Sequence, residues 1–346
     1  MAKRKNLFLP EPKWTLVRLF SWFVLLVCLA IVGAGAWFVQ FAFTSVAIPA
    51  QSRDFNVEQG VSLRAVSENF ANAGLVSDGP RFLLLARLLG KAADVKAGSY
   101  SVGESVTPYQ LLGKIVRGEF AQAEIRFIEG WSFRQVRLAL DQHPAVRHDT
   151  EGLPDARILE RLGIKEESAE GLFFPDTYLF SAGTSDLAIL RQAHLRMMAK
   201  LEANWEQRAS GLPLSSSYEA LILASIVEKE TGRDDERKTI AAVFINRLNR
   251  GMRLQTDPTV IYGLGEAFDG NLRRRDLQTD HSHNTYTRRG LPPTPIAMPG
   301  EASIRAALNP ASSSAIYFVS RGDGSHEFSN TLVEHNRAVN KFQRSR

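Results

Sequence analysis

The stretch "LASIVEKETGR", residues 223–233, places two glutamates, Glu228 and Glu230, at the end of an otherwise apolar run. On a helix, residues three, four and seven apart share a face, and residues two apart do not. Glu230 is three from Val227, four from Ile226 and seven from Leu223, so it continues the apolar stripe. Glu228 falls with Leu221, Ala224 and Ser225, a flank with smaller residues, and Lys229 projects elsewhere. The spacing predicts a helix over about 217–231 that carries Glu230, of the two, into the core or a cleft. Burial penalises the charged form of a carboxyl and raises its pKa. A carboxylic acid still protonated near neutral pH can donate its proton to a glycosidic oxygen. The competing reading is a fraying helix end, with Gly232 ahead and Arg233 pairing a solvated carboxylate.

Downstream, "ERKTIAAVFINRLNRG" (236–251) reads as a helix with Ile240, Val243, Phe244 and Leu248 inward, capped by Asp234 or Asp235 and ended by Gly251. "QTDPTVIYGLG" (255–265) offers Asp257 as the cap of a short helix with Pro258 at its first position. A Pro- and Gly-rich loop, "NTYTRRGLPPTPIAMPG" (284–300), leads to a short helix at 301–310. "AIYFVSRGDGSHEFS" (315–329) reads as a β-hairpin with a Gly-rich turn, and "TLVEHNRAVNKFQ" (331–343) as a closing helix.

Upstream, three units of similar build precede the glutamates. In residues 55–75 a strand-like start meets Gly60, Ser62 caps a helix with Leu63, Val66 and Phe70 on one face, and Gly74 ends it. In 97–120, Thr107 caps, Pro108 takes the first helical position and Gly118 stops the helix. In 123–140, Ser132 and Gln135 form a capping-box pattern. A further helix is expected over 80–90. "EGLFFPDTYLF" (170–180) carries aromatics around Pro175 that suit either a groove lining or a core strand.

The N-terminus is the clearest physical signal. Lys3, Arg4, Lys5, Lys13 and Arg18 precede an uncharged segment from Leu19 to Ser52, whose apolar heart, Leu19 to Phe43, is 25 residues long. A bilayer core needs about 20 helical residues. Trp14, Trp22, Trp37 and Phe43 lie towards its ends, as interfacial aromatics do, and the positive flank keeps the N-terminus in the cytoplasm. A cleaved signal peptide, with "AIPAQS" (47–52) as a poor cleavage site, is the alternative, but its apolar region would span only about 7–15 residues. Cys28, the single cysteine, lies inside this segment, which excludes an intrachain disulfide or a Cys-based metal site. A chain of 346 residues with 44% hydrophobic and 23% charged residues is globular in bulk. Its formal charge of +5 suits an anionic polymer or a membrane surface.

Taken together, "ASIVEKET", "VFINRL", "GMRLQTDPTVIYG", "NTYT", "GLPPTPIAMPG" and "YFVSRGDGSHEFS" make the chain resemble the endolytic murein transglycosylase (YceG-like) family, over the anchor, residues 55–120 and all of 124–343. Residues 55–120 also resemble a LysM-like, glycan-binding fold in pattern and context. The family resemblance implies an α+β fold in five parts: a cytoplasmic N-terminus (1–18), a transmembrane helix (19–43), a linker (44–54), a LysM-like module (55–122) and a catalytic domain (123–346). It implies an inner-membrane protein with a periplasmic catalytic domain. The implied reaction cleaves the β-1,4 bond between N-acetylmuramic acid and N-acetylglucosamine without water, leaves a 1,6-anhydro end and terminates strand growth. The catalytic residue it implies is the second glutamate of E-K-E-T, Glu230, which agrees with the face argument. It implies glycan strands and the lipid bilayer as partners, with peptidoglycan synthases nearby, and no cofactor. A non-catalytic membrane-tethered wall-binding scaffold is the rival reading.

Gln255, Asp257, Asn284, Tyr286 and Tyr262 lie in family-like loops and are candidates for substrate binding, with Asp257 equally readable as a helix cap and Tyr262 as a packing residue. His281, His283, His326, Glu327 and His335 could suggest zinc, but no His pair has metalloprotease spacing and no H-E-x-x-H exists, so no metal is expected. No G-x-S-x-G elbow is present. "RRR" (273–275) and "RR" (288–289) suit solvated faces, or contacts with peptide-stem carboxylates or lipid headgroups. Nothing interleaves aromatic and basic residues as nucleic-acid binding would require.

Overall fold

The structure, a computed structural model, describes residues 14–344. Of the expected cytoplasmic tail, residues 1–13, with Lys3, Arg4, Lys5 and Lys13, lie outside the described residues. The fold is mixed α+β and divides into two compact units, Met1–Ala121 and Gln122–Arg346.

The first unit opens with α1 (Trp14–Phe43). Its segment Arg18–Phe43 is long and apolar enough to cross a membrane and is exposed along most of its length. Then come β1 (Val46–Ala47), β2 (Asp54–Val57), α2 (Leu63–Asn72), α3 (Gly79–Leu88), β3 (Gly98–Ser101), β4 (Ser105–Val106) and α4 (Pro108–Arg117). β2 pairs antiparallel with β3, and β1 pairs with β4, so residues 44–54, expected as a linker, contribute a strand to this unit. The local chemistry follows the sequence. Ser62 caps α2, and Thr107 with Gln110 forms a capping box on α4 ahead of Pro108. α4 stops at Gly118, whose φ of 74° suits a residue without Cβ. Phe70, Phe82, Tyr100, Leu111 and Ile115 fill the core. Burying each such side chain contributes about 1.5–3 kcal/mol. The buried Tyr100 hydroxyl is satisfied by the Lys96 carbonyl at 2.7 Å.

The second unit comprises β5 (Gln122–Arg126), α5 (Phe133–Asp141), β6 (Val146–Arg147), α6 (Asp155–Leu162), β7 (Thr177–Ser181), β8 (Thr184–Ser185), α7 (Asp186–Glu206), α8 (Ser217–Glu230), α9 (Asp234–Asn249), α10 (Asp257–Leu264), α11 (Arg274–Gln278), α12 (Glu301–Leu308), β9 (Tyr317–Ser320), β10 (His326–Ser329) and α13 (Leu332–Val339). Its strands pair two by two: β5 with β7, β6 with β8 and β9 with β10. The expected hairpin forms with Phe318 opposite Phe328 and Tyr317 opposite Ser329. The aromatic stretch splits by role. Phe173 and Phe174 are buried in the core, while Thr177–Ser181 is the strand.

α8 is the central helix, packed by α7, α9 and α12. Residues Ala220 through Val227 are all buried, so α8 has no single apolar stripe. A helix apolar all round is one enclosed by its neighbours. Ser225 is satisfied inside this core: its hydroxyl donates to the Ile222 carbonyl at 2.7 Å and accepts the Ile296 N–H at 3.0 Å. That second bond ties the Pro-rich loop before α12 to α8.

Candidate active site

α8 ends at Glu230, and Thr231 leaves in extended conformation. Both glutamates therefore leave an enclosed helix within a turn of its end, and both meet protein. The expected contrast between a buried Glu230 and a flanking Glu228 is revised here. The Glu228 side chain is only 7% exposed. Its Oε2 accepts the Gly300 N–H at 2.9 Å, and Arg237 lies 4.0 Å from Oε1. Glu228 is thus committed to holding the start of α12. Glu230 turns the other way, into a cleft of about 540 Å³.

That cleft is lined by Glu230, Arg247, Gln255, Thr256, Asp257 and Tyr286, and by a second wall from the β9–β10 hairpin and α13 that includes Tyr317, His326 and His335. The Thr256 hydroxyl donates to Glu230 Oε1. Burial pushes the Glu230 carboxyl up to about 7, and the nearby Asp257 charge adds to the rise. The Thr256 hydrogen bond and the positive fields of His326 and Arg247 oppose it. A carboxyl balanced near neutrality is the state a general acid needs, and the same group can return as a base.

α9 holds the two walls together. Arg247, buried, donates from Nε to the Ile316 carbonyl at 2.7 Å and from Nη1 to the Leu254 carbonyl at 2.6 Å. Its guanidinium also lies 5.3 Å from the Tyr317 ring centroid. One turn into α9, Glu236 receives His326 through Nδ1 at 2.7 Å and through the backbone N–H at 3.0 Å. The hairpin wall is therefore fixed at its entry by Arg247 and at its return by Glu236.

Three of the five candidate binding residues line this cleft. Gln255 sits at φ 49°. Asp257 is the first residue of α10, whose N-cap position is Thr256, and Pro258 is second. The helix-cap reading of Asp257 gives way: no side chain caps α10, because the Asp257 carboxylate instead accepts the Tyr286 hydroxyl. Burial and that bond raise the Tyr286 pKa. Asn284 does not line the cleft. It is fully buried, and its amide donates to the carbonyls of Asp276, Leu277 and Thr279 while its oxygen accepts the Tyr286 N–H at 2.8 Å. Asn284 is the hub that folds the loop presenting Tyr286. Tyr262 lies away from the cleft, with its ring 4.9 Å from that of His283 and its hydroxyl bonded to Glu170. Glu170 is itself buried, accepts the Phe133 N–H at 3.1 Å, and is pushed by burial up to about 7.

Thr256, Arg247, Tyr317 and the Glu236–His326 pair were not singled out from sequence for this site. Arg247 carried a signal: it stands three from Phe244 and four from Val243, on the inward face of α9. The others are brought in by tertiary packing, Thr256 from 26 residues beyond Glu230 and His326 from 90 residues beyond Glu236. Among the described residues, no group of three or more His, Cys, Asp or Glu side chains is arranged to hold a metal ion.

Comparison with known proteins bears on this site. The YceG-like family model matches residues 55–341. A protein of Bacillus subtilis (strain 168) named endolytic murein transglycosylase is 28% identical, covering 84% of this chain and 84% of its own length. One of the same name from Streptococcus pneumoniae (serotype 2, strain D39) is 28% identical over 91% of this chain, which spans 63% of that longer protein. The 2.6 Å crystal structure of a yceG-like protein from Listeria monocytogenes superposes with a TM-score of 0.52 at 28% identity, covering 85% of this chain and 98% of that one. The match spans most of the second unit and the first unit from within β2 through α4, and on it this chain belongs to the YceG-like family.

Proposed function

We propose that the chain is an endolytic peptidoglycan transglycosylase with Glu230 as its single acid and base. The observation that carries this is a carboxyl poised at about 7 in a cleft rich in polar side chains. Protonated Glu230 gives its proton to the glycosidic oxygen between N-acetylmuramic acid and N-acetylglucosamine, and the C1–O bond breaks. The resulting carboxylate, favoured by Arg247, His326 and the Thr256 hydroxyl, then takes the proton of the muramoyl C6 hydroxyl. That oxygen closes onto C1 and leaves a 1,6-anhydro end. The nucleophile belongs to the substrate, so the second carboxylate of hydrolytic glycosidases has no water to activate. The intramolecular attack also gains the proximity advantage. Gln255, Asp257 and Tyr286 present amide, carboxylate and phenol groups to sugar hydroxyls and N-acetyl groups. Asn284 acts by placing Tyr286.

In the same reading, α1 anchors the protein once in the inner membrane, with a cytoplasmic N-terminus and a periplasmic catalytic region over 123–346. Nascent strands are then cut beside the synthases, which terminates their elongation. The β2–α2–α3–β3 order supports a LysM-like, glycan-binding role for residues 55–122.

The test is product chemistry. Full-length protein in detergent is incubated with uncrosslinked glycan strands, and the ends are read by mass spectrometry. Anhydro ends are expected from the wild type and from Glu228→Gln at a reduced but measurable rate, and from Glu230→Gln at least about 100-fold more slowly than from the wild type. Reducing ends would mean a hydrolase. Absence of cleavage under conditions where another transglycosylase works would favour a binding scaffold.

A further inference from the structure

The end of α1 is not a free tether. Phe38, Phe41 and Ala42 of α1 are packed into the core shared by α2, α3 and α4. Two aromatic contacts set how this docking is made. The Arg81 guanidinium of α3 lies 3.6 Å from the centroid of the Trp37 ring, and Tyr109 of α4 stacks on Phe43 at 5.1 Å. Phe43 is six residues beyond Trp37, about 9 Å further along a helix axis. α3 therefore meets α1 well before its end, alongside the apolar segment, while α4 meets it at the tip.

The outer face of α3 follows from that contact. Leu84 and Leu88, three and seven on from Arg81, stand on its side of the helix, and Arg87, three on from Leu84, extends the exposed face away from Arg81. Phe82, Leu85 and Ala86 take the inward side and are buried. Leu84 is 46% and Leu88 67% exposed. Two leucines standing out beside two arginines, on a helix clamped to a segment suited to span a bilayer, are the pattern of an interfacial helix. If about 20 residues of Arg18–Phe43 fill the hydrocarbon core, Trp37 lies near its outer edge, at the depth where arginines reach phosphate and leucines reach acyl chains.

We infer that α3 lies in the lipid headgroup layer beside α1, with Leu84 and Leu88 dipping towards the acyl chains and Arg87 meeting lipid phosphates, while Arg81 stays on Trp37 and Asp78. The inference rests on the reading of α1 as a membrane anchor. The surface commits to lipid because Trp37, half exposed and under Arg81, joins it to the apolar Arg18–Phe43 segment of α1. Its consequence is a module held at a set height and tilt on the membrane by two contacts, one spanning and one interfacial.

The single cysteine makes the test clean. Full-length protein is reconstituted into vesicles of phosphatidylethanolamine and phosphatidylglycerol, and an environment-sensitive nitrobenzoxadiazole label is placed either on Cys28 or on Leu88→Cys in a Cys28→Ser background. Quenching is compared between aqueous iodide and spin-labelled lipids of graded depth. The label at 28 is expected to be quenched by deep lipid probes. The label at 88 is expected to be quenched by shallow lipid probes severalfold more than by iodide. Deep quenching at 28 with free iodide access at 88 overturns the inference and leaves the anchor standing. Shielding at 88 from both quenchers also overturns it, since a protein would then cover the face. Iodide access at 28 removes the anchor and the inference together.

Discussion

Glu230 and Glu170 are both carboxyls of the second unit, and burial raises both to about 7. They differ in what surrounds the carboxyl. Glu170 accepts two backbone N–H groups, of Phe133 and Gly171, and the Tyr262 hydroxyl, with 5% of the residue exposed. It ties the start of α5 to α10 and spends its oxygens on those three donors. Glu230 has one hydrogen-bond donor from Thr256 and otherwise faces the cleft. A raised pKa alone therefore does not single out a catalytic group. Access and a counterbalancing field do, and only the Glu230 region has Arg247 and His326 placed to favour the carboxylate once its proton has gone.

That comparison can be broken most directly by exchanging the two losses. Glu230→Gln is expected to melt no lower than the wild type and to lose about 10²–10⁴-fold in turnover, the range of general acid–base catalysis. Glu170→Ala should do the reverse. It strips the acceptor from buried donors and leaves a cavity, costing about 2–4 kcal/mol of stability, while turnover per folded molecule stays within a few-fold. Calorimetry with parallel rate assays separates the two, and a Glu170→Gln variant that folded normally yet lost turnover would erase the distinction drawn here.

A smaller effect is shared by both sites. In the unfolded chain each carboxyl returns to its ordinary value near 4.5. Between that pH and about 7 the folded state binds more protons than the unfolded one, so the slope of stability with pH is negative. The stabilising contribution of these groups is full below 4.5 and is lost as pH rises through about 7, by a few kcal/mol per group at most. Glu170→Gln and Glu230→Gln should each flatten the fall in denaturant stability between pH 5 and 8. An unchanged slope in both would mean that neither carboxyl is held protonated.

The smallest expected effect sharpens the Glu230 side alone. Thr256→Val removes the bond that favours the charged carboxyl. The alkaline limb of kcat/KM, where the acid loses its proton, should move up by roughly 0.5–1 pH units. A limb that stays in place would assign it to another group.

Much of the local structure was legible because caps and turns are written in contiguous residues. The Ser62 and Thr107 caps, the Ser132–Gln135 box and a hairpin within 315–329 all read through directly. The face of α8 was less legible. A three-four-seven count assumes one wet side, and α8 is enclosed on all sides, so Glu228 proved as buried as its neighbour. The candidate loops divided for a related reason. Periodicity cannot say whether an asparagine or tyrosine spends its polar atoms inward or outward. Asn284 serves its own loop and Tyr262 serves Glu170, whereas Tyr286 reaches the cleft. The second wall, from Tyr317 to His335, joins Glu230 only through tertiary packing that no short-range pattern encodes.

Among the described residues, Gln255 alone holds a positive φ without being glycine. An extended strand would send Gln255, Thr256 and Asp257 to alternating sides, yet all three line one cavity, because the chain kinks at 255 and begins α10 at 257. The left-handed backbone at 255 costs roughly 1–2 kcal/mol for a residue with a Cβ. Glycine there would relieve the strain and delete a side chain from the cleft in the same step. At that one position, relaxed backbone and an amide in the cleft exclude each other.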